Sequence, residues 1–197
     1  MWRCRVRGPP PPRAHVGRRR RLNLLNGSTL AGLWLARRAG VPLRPGPHGL
    51  LLAPGYPRRF PAPAAGAVCV GDVVLLRRGR PDGRGVDVMD SQPQLFDHES
   101  RHAAQWARWG GLPGFLPAYG LASLWSVLRT GDPHSANLFE VGAGLDDGGY
   151  RAAPARPPRE GLRLVLQLVL RAVLRGLRGL RPGRGRLRAG SPRRRRP

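Results

Sequence analysis

Apolar and polar positions divide the chain into a few regular stretches separated by runs rich in Gly and Pro. STLAGLWLARRAG predicts a short helix, with Ser28 or Thr29 as N-cap, Gly40 near the stop, and Leu30, Leu33, Trp34 and Leu35 covering one side. Leu50, Leu51 and Leu52 predict one brief strand. AVCVGDVVLLRR is the clearest strand signal, β-branched and apolar on both sides of Gly71-Asp72, a pair that reads as a tight turn or a bulge.

After a polar loop, GRPDGRGVDVMD, the stretch SQPQLFDHESRHAAQWARWGG predicts a helix. Ser91 is its N-cap, Gln94 the capping-box partner, Pro93 sits in the tolerated first turn, and Gly110 and Gly111 end it. His98, His102 and Gln105 share one face, while Phe96, Ala103 and Trp106 pack another side. LPGFLPAYGLASLWSVLRTGD gives a second helix, from Pro117 to near Gly131, apolar almost all round as a buried or membrane-facing helix is. PHSANLFEVGAGLDDGGY predicts a short helix capped by Asn137 and a glycine-rich turn.

The last element is GLRLVLQLVLRAVLRGLRGL, where Arg163, Gln167, Arg171, Arg175 and Arg178 recur about every four residues opposite a Leu/Val face. Such a cationic amphipathic helix suits an anionic membrane surface through residues 161–180. It equally suits packing on the domain's own core with its Arg face solvated.

Composition sets the boundaries. Residues 1–21, with PPPP and RRRR, are expected to lack structure, as is the Arg-rich tail 182–197. Between them lie one domain, 22–153, and the amphipathic segment 154–181. The fold class expected is α+β: a small domain with a short antiparallel strand pair or sheet packed on the helix that starts at Ser91 and on further helices.

The formal charge is +24, but all 35 basic residues are Arg and the chain contains neither Lys nor Ile. That bias points to a GC-rich coding sequence and weakens the charge as a sign of nucleic-acid binding, for which no known module can be read. Cys4 and Cys69 form no CxxC and indicate neither a disulfide framework nor a thiolate metal site. No apolar run reaches the ~18 residues of a membrane span. RRRRLNLLNGSTLAGLWLARRAG starts like a secretion signal, but Asn23, Asn26, Gly27 and Ser28 interrupt it and Arg37 and Arg38 follow. The expectation is a cytoplasmic protein, with a peripheral place at the inner face of the membrane open to residues 161–180.

Candidate chemistry lies in HESRHAAQ. On a helix, a spacing of four puts two imidazoles one turn apart, able to reach a single zinc ion, and the glutamate beside the first leans over the metal's open position. His98 and His102 are then ligands and Glu99 the general base. Shuffling this composition yields HExxH in roughly two chains in a thousand. A third ligand is needed. The metzincin pattern is excluded because Gln105 and Arg108 stand where it requires Gly and His. Glu140 of NLFE is the one glutamate placed for the role, although with Asn137 it can also form a plain capping box. His134, Asp132, Asp146 and Asp147 are alternatives.

HESRHAAQ, WARWG, LPGFLPAYGLASLW and RTGDPHSANLFE, in that order, resemble a group of short bacterial proteins. These carry HExxHxxQ, an aromatic segment ending in Trp-Gly, an L/F-x-P-A-Y helix and an Asn-x-Phe-Glu close, and look like minimal gluzincin-type metallopeptidase domains. The resemblance covers residues 98–150 well, and the stretch from LNLLNGST to AVCVGDVVLL more loosely. It implies zinc held by His98, His102 and Glu140, Glu99 as base, Gln105 and Asn137 in support, and a peptide or protein substrate. Two positions depart from the pattern: Arg101 brings a charge between Glu99 and His102, and Leu138 replaces a proline. The second reading of the chain is a metal-binding or membrane-surface interaction protein without turnover.

Overall fold

The computed structural model of the chain describes residues 13–57, 66–77, 93–163, 166–167 and 170. Ser91, the loop 79–90, Cys4, the tail 182–197 and most of the amphipathic stretch 161–180 lie outside the described residues. The architecture is α+β, a four-stranded mixed sheet with helices. In chain order come α1 (Arg13–Leu25), α2 (Ser28–Arg38), β1 (Arg44–Pro45), a 3-10 turn (Pro47–Gly49) and β2 (Leu51–Tyr56). They are followed by β3 (Ala67–Val70), β4 (Val73–Arg77), α3 (Pro93–Arg108), α4 (Leu112–Thr130) and α5 (Leu138–Ala143), with helix again over 158–163.

The sheet order is β1-β2-β4-β3. β4 is central, and its run VVLL is apolar throughout because both faces are covered, as in other doubly buried strands. Val73 and Leu75 join a cluster with Ala36 of α2, Trp106, Phe115 and Phe139. Val74 and Leu76 join another with Leu95, Phe96 and Ala103 of α3. β3 and β4 pair antiparallel as AVCVGDVVLL predicts, but β4 also pairs parallel with β2, a long-range pairing that strand patterning alone does not specify.

Gly71-Asp72 is a turn. Gly71 has φ +63 and Asp72 is not among the positive-φ residues, the arrangement of a type II′ hairpin. Val70 and Val73 close that hairpin, so the peptide groups of Ala67 and Cys69 face away from β4 along the outer edge of β3, which pairs with no further strand among the described residues. Trp106 Nε1 donates to the Cys69 carbonyl at 3.0 Å, which ties this edge to α3.

Three expectations are corrected. Residues 13–21 are not structureless but belong to α1. This helix is held by polar contacts that composition does not reveal: Arg19 Nε lies 2.7 Å from Asp72 Oδ1, and Asn23, fully buried, donates to the Ala103 carbonyl at 2.9 Å. The second correction concerns α4, which starts at Leu112 rather than Pro117. Pro113 occupies its first turn, and Pro117 is tolerated inside because its missing N–H forfeits a single bond near the helix start. α2 begins at Ser28 with Gly27 as N-cap, since the Thr29 hydroxyl is engaged by Asp72 instead. No helix among the described residues is long and apolar enough to cross a membrane.

Candidate metal centre

α3 presents His98, Glu99, His102 and Gln105 toward α5, and all but Gln105 are buried. α5 is set by Asn137, whose side-chain oxygen accepts from Phe139 N at 2.9 Å and whose amide nitrogen donates to Ser123 of α4 at 2.9 Å. The backbone N–H of Asn137 donates to the His134 carbonyl, so Glu140 is not needed as a capping-box partner. Its carboxylate turns inward instead.

Glu140 Oε2 lies 3.3 Å from His98 Nε2 and 3.4 Å from His102 Nε2, and the two nitrogens are 3.0 Å apart. The protons on these groups can be assigned. Gln105 Nε2 donates to the Phe139 carbonyl at 2.8 Å, which fixes the amide so that Oε1 faces His102 Nδ1, also at 2.8 Å. His98 Nδ1 faces the Gly144 carbonyl at 3.0 Å. Both partners only accept, so both Nδ1 atoms carry hydrogen and both Nε2 lone pairs point at each other and at a carboxylate oxygen.

Three lone pairs converging at that range repel unless a cation sits among them. A proton can bridge two of the atoms; a metal ion satisfies all three. Ligands about 2.0–2.1 Å from a tetrahedral ion are separated by about 3.3 Å, close to the three separations here. Glu140 Oε2 is buried without a hydrogen-bond partner, as are Glu99 Oε2 and His134 Nδ1. Among the described residues, His98, His102 and Glu140 are the group that can hold a metal ion. Of the alternative third ligands, Asp147 is engaged by Arg101 and Asp132 by the turn N–H groups of His134 and Ser135.

The surroundings set the charge states. Burial alone would raise the Glu140 pKa, but His102, His134 and His98 hold it far below the ordinary carboxylate range. Burial pushes Glu99 up, against the opposing pull of His102 and His98. Burial likewise works to lower His98, yet Glu140, Glu99 and the Gly144 carbonyl outweigh it and leave it raised. Tyr119 donates its hydroxyl to Glu140 Oε1, and its pKa rises through burial and the adjacent carboxylate.

No family model, no curated protein and no solved structure matches the chain. The chemistry open to the site follows from its own geometry. A cavity of about 270 Å³ adjoins the triad, with Glu99, His134 and Tyr150 on its polar side and Val68, Phe115 and Leu116 among its apolar walls. His134 stacks on Tyr150, ring centres 4.2 Å apart.

Sequence reasoning offered Asp146 and Asp147 of the segment 143–150 as alternative ligands but missed the part its backbone plays in holding His98. Besides the Gly144 carbonyl, Gly148 lies so close to the His98 ring that a Cβ there would stand 2.6 Å from Cε1 and 2.8 Å from Nε2. The glycine-rich run AGLDDGGY was the available signal. Arg101, which departs from the family-like pattern, reaches this same segment: its Nη1 bonds the Ala143 carbonyl and Asp147.

Proposed function

We propose that the protein is a zinc-dependent peptidase of the gluzincin type, with His98, His102 and Glu140 as metal ligands and Glu99 as general base. The observation that carries this reading is Glu99 Oε2: buried, without a hydrogen-bond partner, on the wall of the cavity beside the triad. A carboxylate in that setting has a raised affinity for a proton, and Oε2 is the atom placed to receive it.

Zinc held by the triad would supply Lewis acidity to a substrate carbonyl and to water. Glu99 takes the proton that the attacking water gives up and delivers it to the departing amine. Gln105 and the Gly144 carbonyl orient the two imidazoles. The outer edge of β3 lies along the same cavity, where the outward peptide groups of Ala67 and Cys69 suit an extended peptide backbone, less the Cys69 carbonyl taken by Trp106. For a transition-state donor, Tyr119 already donates to Glu140 Oε1, whereas His134 Nδ1 makes no hydrogen bond and stands 3.7 Å from that same oxygen, which favours His134.

The test is Glu99→Gln, assayed on a library of unstructured peptides with zinc content measured in parallel. Loss of cleavage with zinc retained supports the reading; cleavage equal to that of the wild type contradicts the role of Glu99.

A further inference from the structure

We propose that the outer face of α4, with the adjoining face of α2, docks on an anionic phospholipid bilayer. α4 carries no charged side chain from Leu112 to Leu128. Nevertheless Leu116, Leu121, Leu124 and Trp125 are each about half exposed or more, and Pro117 and Gly120 are exposed among them. Their three- and four-residue spacing makes one stripe along the helix. Single exposed leucines are ordinary on a protein surface; a charge-free stripe of this length marks a contact.

The charges carried by the two helices themselves are positive only. α2 exposes Leu30 and Trp34 and ends in Arg37 and Arg38, and neither helix contains Asp or Glu. The Arg38 guanidinium lies 5.9 Å from the Trp34 ring centre, and that of Arg129 lies 5.7 Å from the Trp125 ring centre. Each of these exposed indoles thus carries an arginine. Indoles favour the headgroup boundary of a bilayer and guanidinium groups bind its phosphates, so each pair fits both layers of one surface. A protein partner would need carboxylates matched to each arginine, whereas an anionic bilayer offers negative charge at every position.

Two further features adjoin the stripe. Leu116 also lines the cavity, together with Ala31 and Leu35 of α2, so a docked molecule holds the cavity rim at the lipid surface. Beyond α4 the chain turns back, with Arg156 N–H donating to the Arg129 carbonyl at 2.6 Å, and helix resumes at 158 with Leu162, Leu166 and Leu170 exposed at spacings of four. This second apolar stripe starts beside the end of the first.

Vesicle binding tests the proposal without reference to turnover. The full chain is floated with vesicles of phosphatidylcholine alone and of phosphatidylcholine mixed with phosphatidylglycerol, at low and high salt. The wild type is expected to float with the anionic vesicles and to keep part of that binding at high salt. The Leu121→Ser/Leu124→Ser/Trp125→Ser variant is expected to bind about tenfold more weakly while keeping the helical content and cooperative unfolding of the wild type, because each side chain is about half exposed or more. Three results would overturn it: a wild type that does not float, a variant that binds as the wild type does, or a wild-type dimer that the variant converts to monomer.

Discussion

The Arg101 guanidinium ends 2.7 Å from the carboxylate of Asp147, not on Glu99 or the His98–His102–Glu140 triad. The charge that departs from the family-like pattern is thereby used outside the His98–His102–Glu140 group. It fastens the segment whose Gly144 carbonyl accepts from His98.

Replacing Arg101 with Ala is therefore expected to loosen zinc without removing the site. The pair is part-exposed, with 42% and 30% of the two side chains accessible, so its worth is at most about 1 kcal/mol, or about fivefold. Transfer of zinc to a chelator should be up to that much faster in Arg101→Ala and Asp147→Asn. Complete loss of zinc in Arg101→Ala would show that the residue does more than hold the segment.

Asp72 is the corresponding anchor for the β3–β4 hairpin. It receives Arg19 Nε at 2.7 Å and the Thr29 hydroxyl at 3.1 Å, in surroundings that leave Arg19 8% and Asp72 2% exposed. Asp72→Ala leaves the buried guanidinium, among the described residues, with the His48 carbonyl at 2.8 Å as its remaining hydrogen-bond partner. Chemical denaturation should show a loss of about 3–5 kcal/mol. A loss below ~1 kcal/mol would mean that α1 is not held through this pair.

Acid sensitivity is expected from Asp132, which caps the turn leading into α5. Burial acts to raise its pKa, but the Ser135 hydroxyl and the N–H groups of Ser135 and His134 outweigh it, so the folded value lies below the ordinary one. Folding therefore favours the charged form. Its contribution is complete above the unfolded value of about 3.9 and is lost as pH falls from there through the folded value. The urea midpoint of Asp132→Asn should fall less steeply over that window than that of the wild type; identical slopes would remove Asp132 from the acid response.

Much of the site was legible in the sequence because its signals are local. HExxH, the Asn137 cap and the hairpin at Gly71-Asp72 each lie within a few residues, and the choice of Glu140 over its rivals came from the resemblance rather than from spacing. What escaped depends on distant partners. Arg19 with Asp72 and Asn23 with Ala103 are separated by 53 and 80 residues, so α1 read as a basic leader and the Asn23–Ser28 stretch as a break in an apolar run. The parallel pairing of β2 with β4 is hidden for the same reason. Pro117 misplaced the start of α4 because proline marks helix starts more often than interiors.

Metal content tests the central claim most directly. Elemental analysis of the purified protein should give close to one zinc per chain, lost in His98→Ala, His102→Ala and Glu140→Ala and retained in Glu99→Gln. A wild-type protein without bound metal under zinc-replete conditions, or an Glu140→Ala variant that keeps its zinc, would contradict it.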